Sequence, residues 1–446
     1  GVPKKAYVTD VITSKHDVNT IYVSFNYHKY GDFKPYLTVT KDGGRTWKSI
    51  STNIPENNFV WTVVEDHINP NVLFIGTEFG MYFSMDAGAS WRKFNKVPTI
   101  PIRDLEIHEA EDDLVAASFG RGFYIVDDYS PIREYSRQID GLPAYLFSVK
   151  STYQYIVAAP EKTATGHNFF TSPNPPYGVK LSYYLGNSIL SKFEERQNEE
   201  SNKFNKGETI DYPTAKKLED EAKEKTPKIY LTISDSEGKV VRRISSNKNK
   251  GYHEKYWDLR TFSQRNIDEE NNYSGPLVPP GKYSVHIEKF ENDKLEKLTD
   301  SFSFDIIQIG SKSSQEDREK LYGFQLKFDE LVSLVNELVD EIDQVIEEID
   351  GEINKSLNSS SNSNLESLNK KKGDIMDLKM ILTGTRSLNY ADVFSGSPPS
   401  VQRRLGNMSW ELYNTTSKPT KTHEMTYKIS KEKYDEVLRS FREIMD

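Results

Sequence analysis

Thr40-Lys-Asp-Gly-Gly-Arg-Thr-Trp47 and Ser84-Met-Asp-Ala-Gly-Ala-Ser-Trp91 are two copies of one octapeptide, offset by 44 residues. In both, a hydroxyl residue, Asp, Gly and a second hydroxyl residue stand at alternate positions, and Trp closes the run. Each copy follows a pair of strand-like runs. Thr20-Ile-Tyr-Val-Ser24 and Tyr36-Leu-Thr-Val-Thr40 precede the first, and Asn71-Val-Leu-Phe-Ile-Gly76 and Gly80-Met-Tyr-Phe-Ser84 precede the second. A third pair, Asp113-Leu-Val-Ala-Ala-Ser118 and Gly122-Phe-Tyr-Ile-Val126, runs into Asp127-Asp128 without the Gly and Trp, as terminal repeats often do. The offset fits one propeller blade of four short strands, roughly 40 to 50 residues. About three blades are therefore expected before Pro131.

The octapeptide has a mechanical reading. Asp42 and Asp86 are placed to accept backbone N–H bonds within a turn, Gly44 and Gly88 to take positive φ, and Trp47 and Trp91 to plug the gap between sheets. These Asp residues are accordingly read as structural rather than catalytic.

After Pro131 the pattern changes. Residues 136–177 read as linker strands with a proline-containing loop, and Val179-Lys-Leu-Ser-Tyr-Tyr-Leu185 opens a second β-domain over 178–310. A charged stretch, 190–227, interrupts that domain and reads as an exposed helical insertion or loop. Alternating strands then run to Ser301-Phe-Ser-Phe-Asp-Ile306, with turn spacing that fits a β-sandwich of immunoglobulin or fibronectin type III kind. From 311 to 446 the period is helical. Phe324, Phe328, Leu331, Val335, Leu338, Ile342, Val345 and Ile349 form a heptad seam, which predicts packing on another helix. A Ser/Asn-rich connection at 356–364, a returning helix near 365–383 and shorter helices near 400–416 and 430–445 complete a small bundle. The expected fold class is thus mainly β with C-terminal α: a partial propeller over 1–135, a sandwich and a helical bundle.

The chain has 58 Lys and Arg against 67 Asp and Glu, a net charge of −9 that argues against a nucleic-acid partner. It contains no cysteine, so disulfides, thiolate metal sites and cysteine nucleophiles are absent. The eight histidines are scattered without metal-binding spacing and read as surface or loop residues, and no cofactor is expected. No run of 18 apolar residues appears, so no membrane span is expected.

These features together resemble one family. Two Asp boxes, the Gly120–Gly122 strand start ending in Asp127-Asp128, Tyr256-Trp-Asp-Leu259, Pro280-Gly-Lys-Tyr283 and a terminal helical region look like the C-terminal half of large bacterial sortilin-type (Asp-box, BNR) propeller proteins. Those proteins carry a following immunoglobulin-like domain and are often labelled glycosyl hydrolases. The resemblance implies a periplasmic, cell-surface or secreted address. It also implies that further blades, from the same protein or an associated chain, are partners, with other envelope proteins or a glycan as ligands.

A sialidase-like site needs three clamping arginines, a Tyr–Glu pair and an acid. Arg45 and Arg92 lie in or beside the Asp boxes, leaving Glu78, Arg103, Asp104 and Arg121 as candidates in the propeller segment. Asp112-Asp113 and Asp127-Asp128 are candidate calcium ligands or solvated turn caps. Gly43-Gly44 and Gly120–Gly122 belong to turns rather than to a phosphate loop, and Ser395-Gly-Ser397 follows no strand suited to a nucleophile elbow. The leading expectation is a non-catalytic binding or scaffold protein, and the alternative is a glycan-active hydrolase with its site in the propeller funnel.

Overall fold

A computed structural model describes residues 1–135, 138–155, 172–262, 275–310, 312–358, 364–384 and 399–446. His167, the Ser395–Ser397 run and residues 359–363 of the Ser/Asn-rich connection lie outside the described residues. The chain divides into two compact units, Gly1–Leu142 and Pro143–Asp446.

The first unit is three consecutive antiparallel sheets. β1 (Tyr7–Thr13), β2 (Ile21–Tyr27), β3 (Asp32–Thr40) and β4 (Lys48–Ser49) pair in sequence order. β5 (Val60–Glu65), β6 (Leu73–Thr77), β7 (Gly80–Ser84) and β8 (Arg92–Lys93) repeat the same meander. β9 (Ile102–His108), β10 (Asp113–Ser118) and β11 (Phe123–Val126) form a third, three-stranded sheet, followed by the single turn α1 (Pro131–Glu134).

The second sheet is covered on both faces. Val60, Val63, Leu73 and Ile75 pack with Tyr22, Leu37, Val39 and Ile50 of the first sheet. Phe74 and Met81 pack with Ile102, Leu105, Ile107 and Leu114 of the third. Every residue of β6 is buried, which is why its sequence is a continuous apolar run rather than an alternation. Gly76 permits this approach: a Cβ there would stand 2.6 Å from the Ile102 carbonyl oxygen of β9. The two outer sheets instead leave apolar side chains in solvent, Val8 and Val11 on β1 at 56% exposure each, and Phe123 at 74% and Ile125 at 59% on β11.

The second unit joins a sandwich to helices. β12 (Ala144–Leu146), β14 (Val179–Leu185) and β17 (Gly251–Trp257) make one sheet. β13 (Thr152–Gln154), β15 (Lys228–Ser234), β16 (Val240–Ser246), β18 (Gly281–Glu291), β19 (Lys294–Lys297) and β20 (Phe302–Gln308) make the other. Both sheets bury their inner residues in one core around Trp257, Tyr183 and Phe304. In the charged insertion, α2 (Lys192–Asn205) starts on a Ser191–Glu194 capping box and pairs with α3 (Ala215–Lys223) through Arg196 and Glu221 at 2.8 Å. Neither helix buries a residue.

α4 (Gln315–Leu357) is 43 residues long, and its seam of Phe328, Leu331, Val335, Leu338, Ile342 and Ile349 is buried. It packs with α5 (Leu365–Thr383), α6 (Val401–Tyr413) and α7 (Lys421–Met445). Lys372–Asp350 at 2.5 Å and Lys379–Asp343 fix α5 antiparallel to α4. α7 begins well before residue 430, where the sequence reading placed it. Thr420 caps it with His423 in the place a Glu or Gln usually takes: Thr420 Oγ1 accepts from His423 N at 3.2 Å, and His423 Nδ1 accepts from Thr420 N. His423 is therefore a buried cap residue that also meets Glu411 at 2.9 Å, not a surface histidine. No described helix is long and apolar enough to cross a membrane.

Candidate functional site

The two octapeptides close into the same turn. Asp42 Oδ1 accepts from Thr46 N at 2.9 Å and Oδ2 from Thr46 Oγ1 at 2.6 Å, while Gly44 N donates to Thr40 Oγ1 at 2.9 Å. Asp86, Ser90, Gly88 and Ser84 repeat each bond within 0.1 Å. Gly44 and Gly88 take φ of 91° and 82°. These bonds hold the Asp42 carboxyl down to about 2, with the Thr46 hydroxyl as the largest influence. The tryptophans differ. Trp91 is 3% exposed and donates to the Ile50 carbonyl, whereas Trp47, expected to plug a gap between sheets, is 47% exposed and donates only to Gly44 O in its own turn.

A second regularity is invisible in the sequence. The first strand of each of the three sheets of the first unit carries a break in register at one residue, Thr9 in β1, Trp61 in β5 and Arg103 in β9. An extra residue in a strand re-aims its side chain. In β5 and β9 it brings together two of the candidates from the sequence. The Trp61 indole N–H donates to Glu78 Oε2 at 2.9 Å, and the Arg103 guanidinium lies 3.4 Å from the Trp61 ring centroid. Phe119 stands 4.9 Å from the same guanidinium. Phe59 meets Trp61 edge-on at 4.9 Å, and His28 stacks on Phe59 at 5.0 Å with the planes 7° apart. The result is a ledge of aromatic rings and one cation, contributed by β5 and β9, by Phe59 just before β5, by the turns after β2, β6 and β10, and by Phe33 of β3, 6.4 Å from Phe59. Its ends are wet, with Phe33 49% and Phe119 66% exposed.

The other candidates do not join it. Asp104 is exposed on β9, its Oδ1 accepting from Leu105 N at 3.0 Å. Arg121 is exposed in the turn between β10 and β11. Three converging arginines are not found here among the described residues. His28, Phe33, Phe59, Trp61 and Phe119 escaped the sequence reading. The aromatic density of Phe59-Val-Trp61 was the available signal.

The paired aspartates are engaged elsewhere. Arg133 donates to Asp66 at 2.7 Å through both Nε and Nη2 and also to Asp112, and Tyr129 donates to Asp66 Oδ1 at 2.5 Å. Burial alone would raise the Asp66 carboxyl; the Arg133 and Tyr129 bonds more than offset it and hold the group below its usual range. Asp113 accepts from Asp128 N at 2.8 Å, and Asp128 from Ser130 Oγ at 2.6 Å. These carboxylates tie turns together. No group of three His, Asp or Glu with metal-binding geometry occurs among the described residues.

No family model and no curated protein matches this chain. Solved structures give faint likenesses. One is YCF48 bound to D1 peptide, 17% identical over 28% of this chain and 38% of that one, with a TM-score of 0.21. Others are the extracellular domain of BT4673 from B. thetaiotaomicron (14%, 68% and 31%, TM-score 0.22) and the GH74 xyloglucanase from Xanthomonas campestris (10%, 67% and 47%, TM-score 0.22). The chain spans less than half the length of each of these structures. At such TM-scores no residue role is carried across.

Proposed function

We propose that this chain is a non-catalytic binding or scaffold protein of the cell envelope or exterior, and that the ledge around Trp61 receives its ligand. The observation that carries this reading is the use made of the two charged candidates. Glu78 is spent orienting the indole, and the Arg103 guanidinium lies over its ring. Both groups fix an aromatic face instead of converging on a reacting atom. Aromatic faces backed by a stacked cation suit the flat apolar sides of sugar rings or of aromatic side chains. Glycoside hydrolysis asks instead for two carboxylates flanking one bond. Of the ledge's acidic neighbours, Glu78 is bound to Trp61 and Asp104 to its own chain.

We read the three sheets as blades of an Asp-box propeller and the sandwich as immunoglobulin-like, with the helices as a docking module. The bonds between sheets support closure by further blades. Asp10, one residue past the break in β1, accepts from Thr62 Oγ1 at 2.8 Å and Val63 N at 3.0 Å of the neighbouring sheet. Asp104, one past the break in β9, is its counterpart and reaches no further sheet. Trp47 likewise lacks the carbonyl that Ile50 gives Trp91. Exposed Val8, Val11, Phe123 and Ile125 lie on those outer strands. Blades of the same protein or of an associated chain would occupy both faces.

Glycan array screening and pulldown from envelope extracts, each with wild type and Trp61→Ala, test the binding reading. Retention that depends on Trp61 supports it, and equal retention by both proteins sinks it. The hydrolase alternative is favoured only by the labels attached to the family that the sequence resembles. Turnover of a glycoside panel, abolished by Glu78→Gln, would establish it.

A further inference from the structure

The guanidinium of Arg318 is buried in the second unit, where the first turns of α4 meet the sandwich, and the residue is 5% exposed. A buried arginine ordinarily faces a carboxylate, because an uncompensated charge away from water is costly. Arg318 has no carboxylate partner among the described residues. It donates to the side-chain oxygen of Gln154, a neutral acceptor whose own amide nitrogen is committed to Val278 O at 2.7 Å. Burial pulls the guanidinium down from its ordinary range, as expected for a cation short of compensation.

Two adjoining clefts open on this group. A cleft of about 190 Å³ is lined by Tyr177, Arg260 and Tyr413 beside Arg318, and a second of about 580 Å³ by Lys312, Ser313 and Thr416. The carboxylates that share these walls face other cations: Asp258 meets Arg242 at 2.9 Å, and Asp317 lies 3.9 Å from Lys418. The two clefts therefore present Arg318, Arg260 and Lys312, while the Tyr413 hydroxyl is bonded to Asp329 and those of Ser313 and Thr416 to each other at 2.9 Å. A planar guanidinium offers two parallel N–H donors to a carboxylate or phosphate and holds a fixed geometry when buried.

We propose that these clefts form a binding site for a small organic oxyanion, with Arg318 as the buried anchor and Arg260 and Lys312 at the two mouths. The site belongs to the second unit and does not depend on what the ledge of the first unit binds. The chemistry shared by a carboxylate and a phosphate ester is a compact group of negatively charged oxygens, and the two are distinguished by experiment.

Calorimetric titration of the full chain with sodium phosphate and with sodium glucuronate, at ionic strength held constant with chloride, reads the site directly. Saturable binding of one equivalent is expected, weakened about tenfold or more in Arg318→Gln and severalfold in Lys312→Gln. Lys312 is exposed, so its variant keeps the test decisive where Arg318→Gln fails to fold. Saturation by phosphate alone marks a phosphate ester as the ligand, and saturation by glucuronate alone marks a carboxylate. No saturable heat from either anion overturns the proposal, as does affinity unchanged in Lys312→Gln or in a folded Arg318→Gln.

Discussion

The indole N–H of Trp91 donates to the carbonyl oxygen of Ile50, 2.6 Å away and 41 residues earlier, so the closing residue of one repeat is bolted to the end of the repeat before it. Trp47 holds the same place in its own octapeptide and stands in solvent. Trp91→Ala is expected to cost about 3 to 5 kcal/mol, the range for removing a large buried aromatic, and Trp47→Ala less than about 1 kcal/mol. Urea unfolding of the two variants measures the difference, and equal costs would show that the repeats are not joined in this way.

Gly88→Ala carries the same contrast at backbone level. A Cβ on Gly88 would meet Ile50 Cδ1 at 2.9 Å, whereas one on Gly44 meets nothing nearer than Trp47 at 3.8 Å. Both positions pay for positive φ, so the excess loss in Gly88→Ala over Gly44→Ala isolates the packing between sheets. That excess is expected to reach about 1 to 3 kcal/mol by thermal melting.

The turn carboxylates also set an acid limit. Asp42 titrates near 2 in the folded chain, against about 3.9 for a free Asp. The unfolded chain therefore takes up the proton first as pH falls. The stabilisation from this carboxylate is complete above about pH 4 and is lost as pH drops toward 2. Asp42→Asn removes this contribution, and its acid-unfolding curve is expected to be flatter than that of the wild type across that window. Identical curves would mean that the carboxylate contributes nothing to the turn.

Asp66 is fully buried and is matched by Arg133. Arg133→Met leaves a buried charge without its cation, which typically costs about 3 to 5 kcal/mol. Asp66→Asn combined with Arg133→Met is expected to recover part of that loss in a double-mutant cycle. A loss that is simply additive would show that the pair is not coupled.

What was legible in the sequence was local. The turn is bonded within the octapeptide, so the hydrogen bonds of Asp42 and Asp86 and the positive φ of Gly44 and Gly88 could be read from spacing alone. The α4 seam repeats every seven residues and showed its buried face directly. What was not legible depends on partners far apart in the chain. Nothing in the two octapeptides separates Trp47 from Trp91, because the difference is the position of Ile50. Glu78 and Arg103 could be singled out as charged residues at strand ends. Their meeting on Trp61 needs register breaks in two strands, which no local pattern announces. The early start of α7 was missed because His423 replaces the acidic residue of a capping box.

The most direct test of the central claim sets Glu78→Gln beside Trp61→Ala, measuring glycoside turnover and ligand retention on the same folded samples. A binding ledge predicts no turnover by wild type, retention lost in Trp61→Ala, and retention largely kept in Glu78→Gln, since the amide oxygen still accepts the indole N–H. Wild-type hydrolysis that disappears in Glu78→Gln while ligand retention persists would contradict the account.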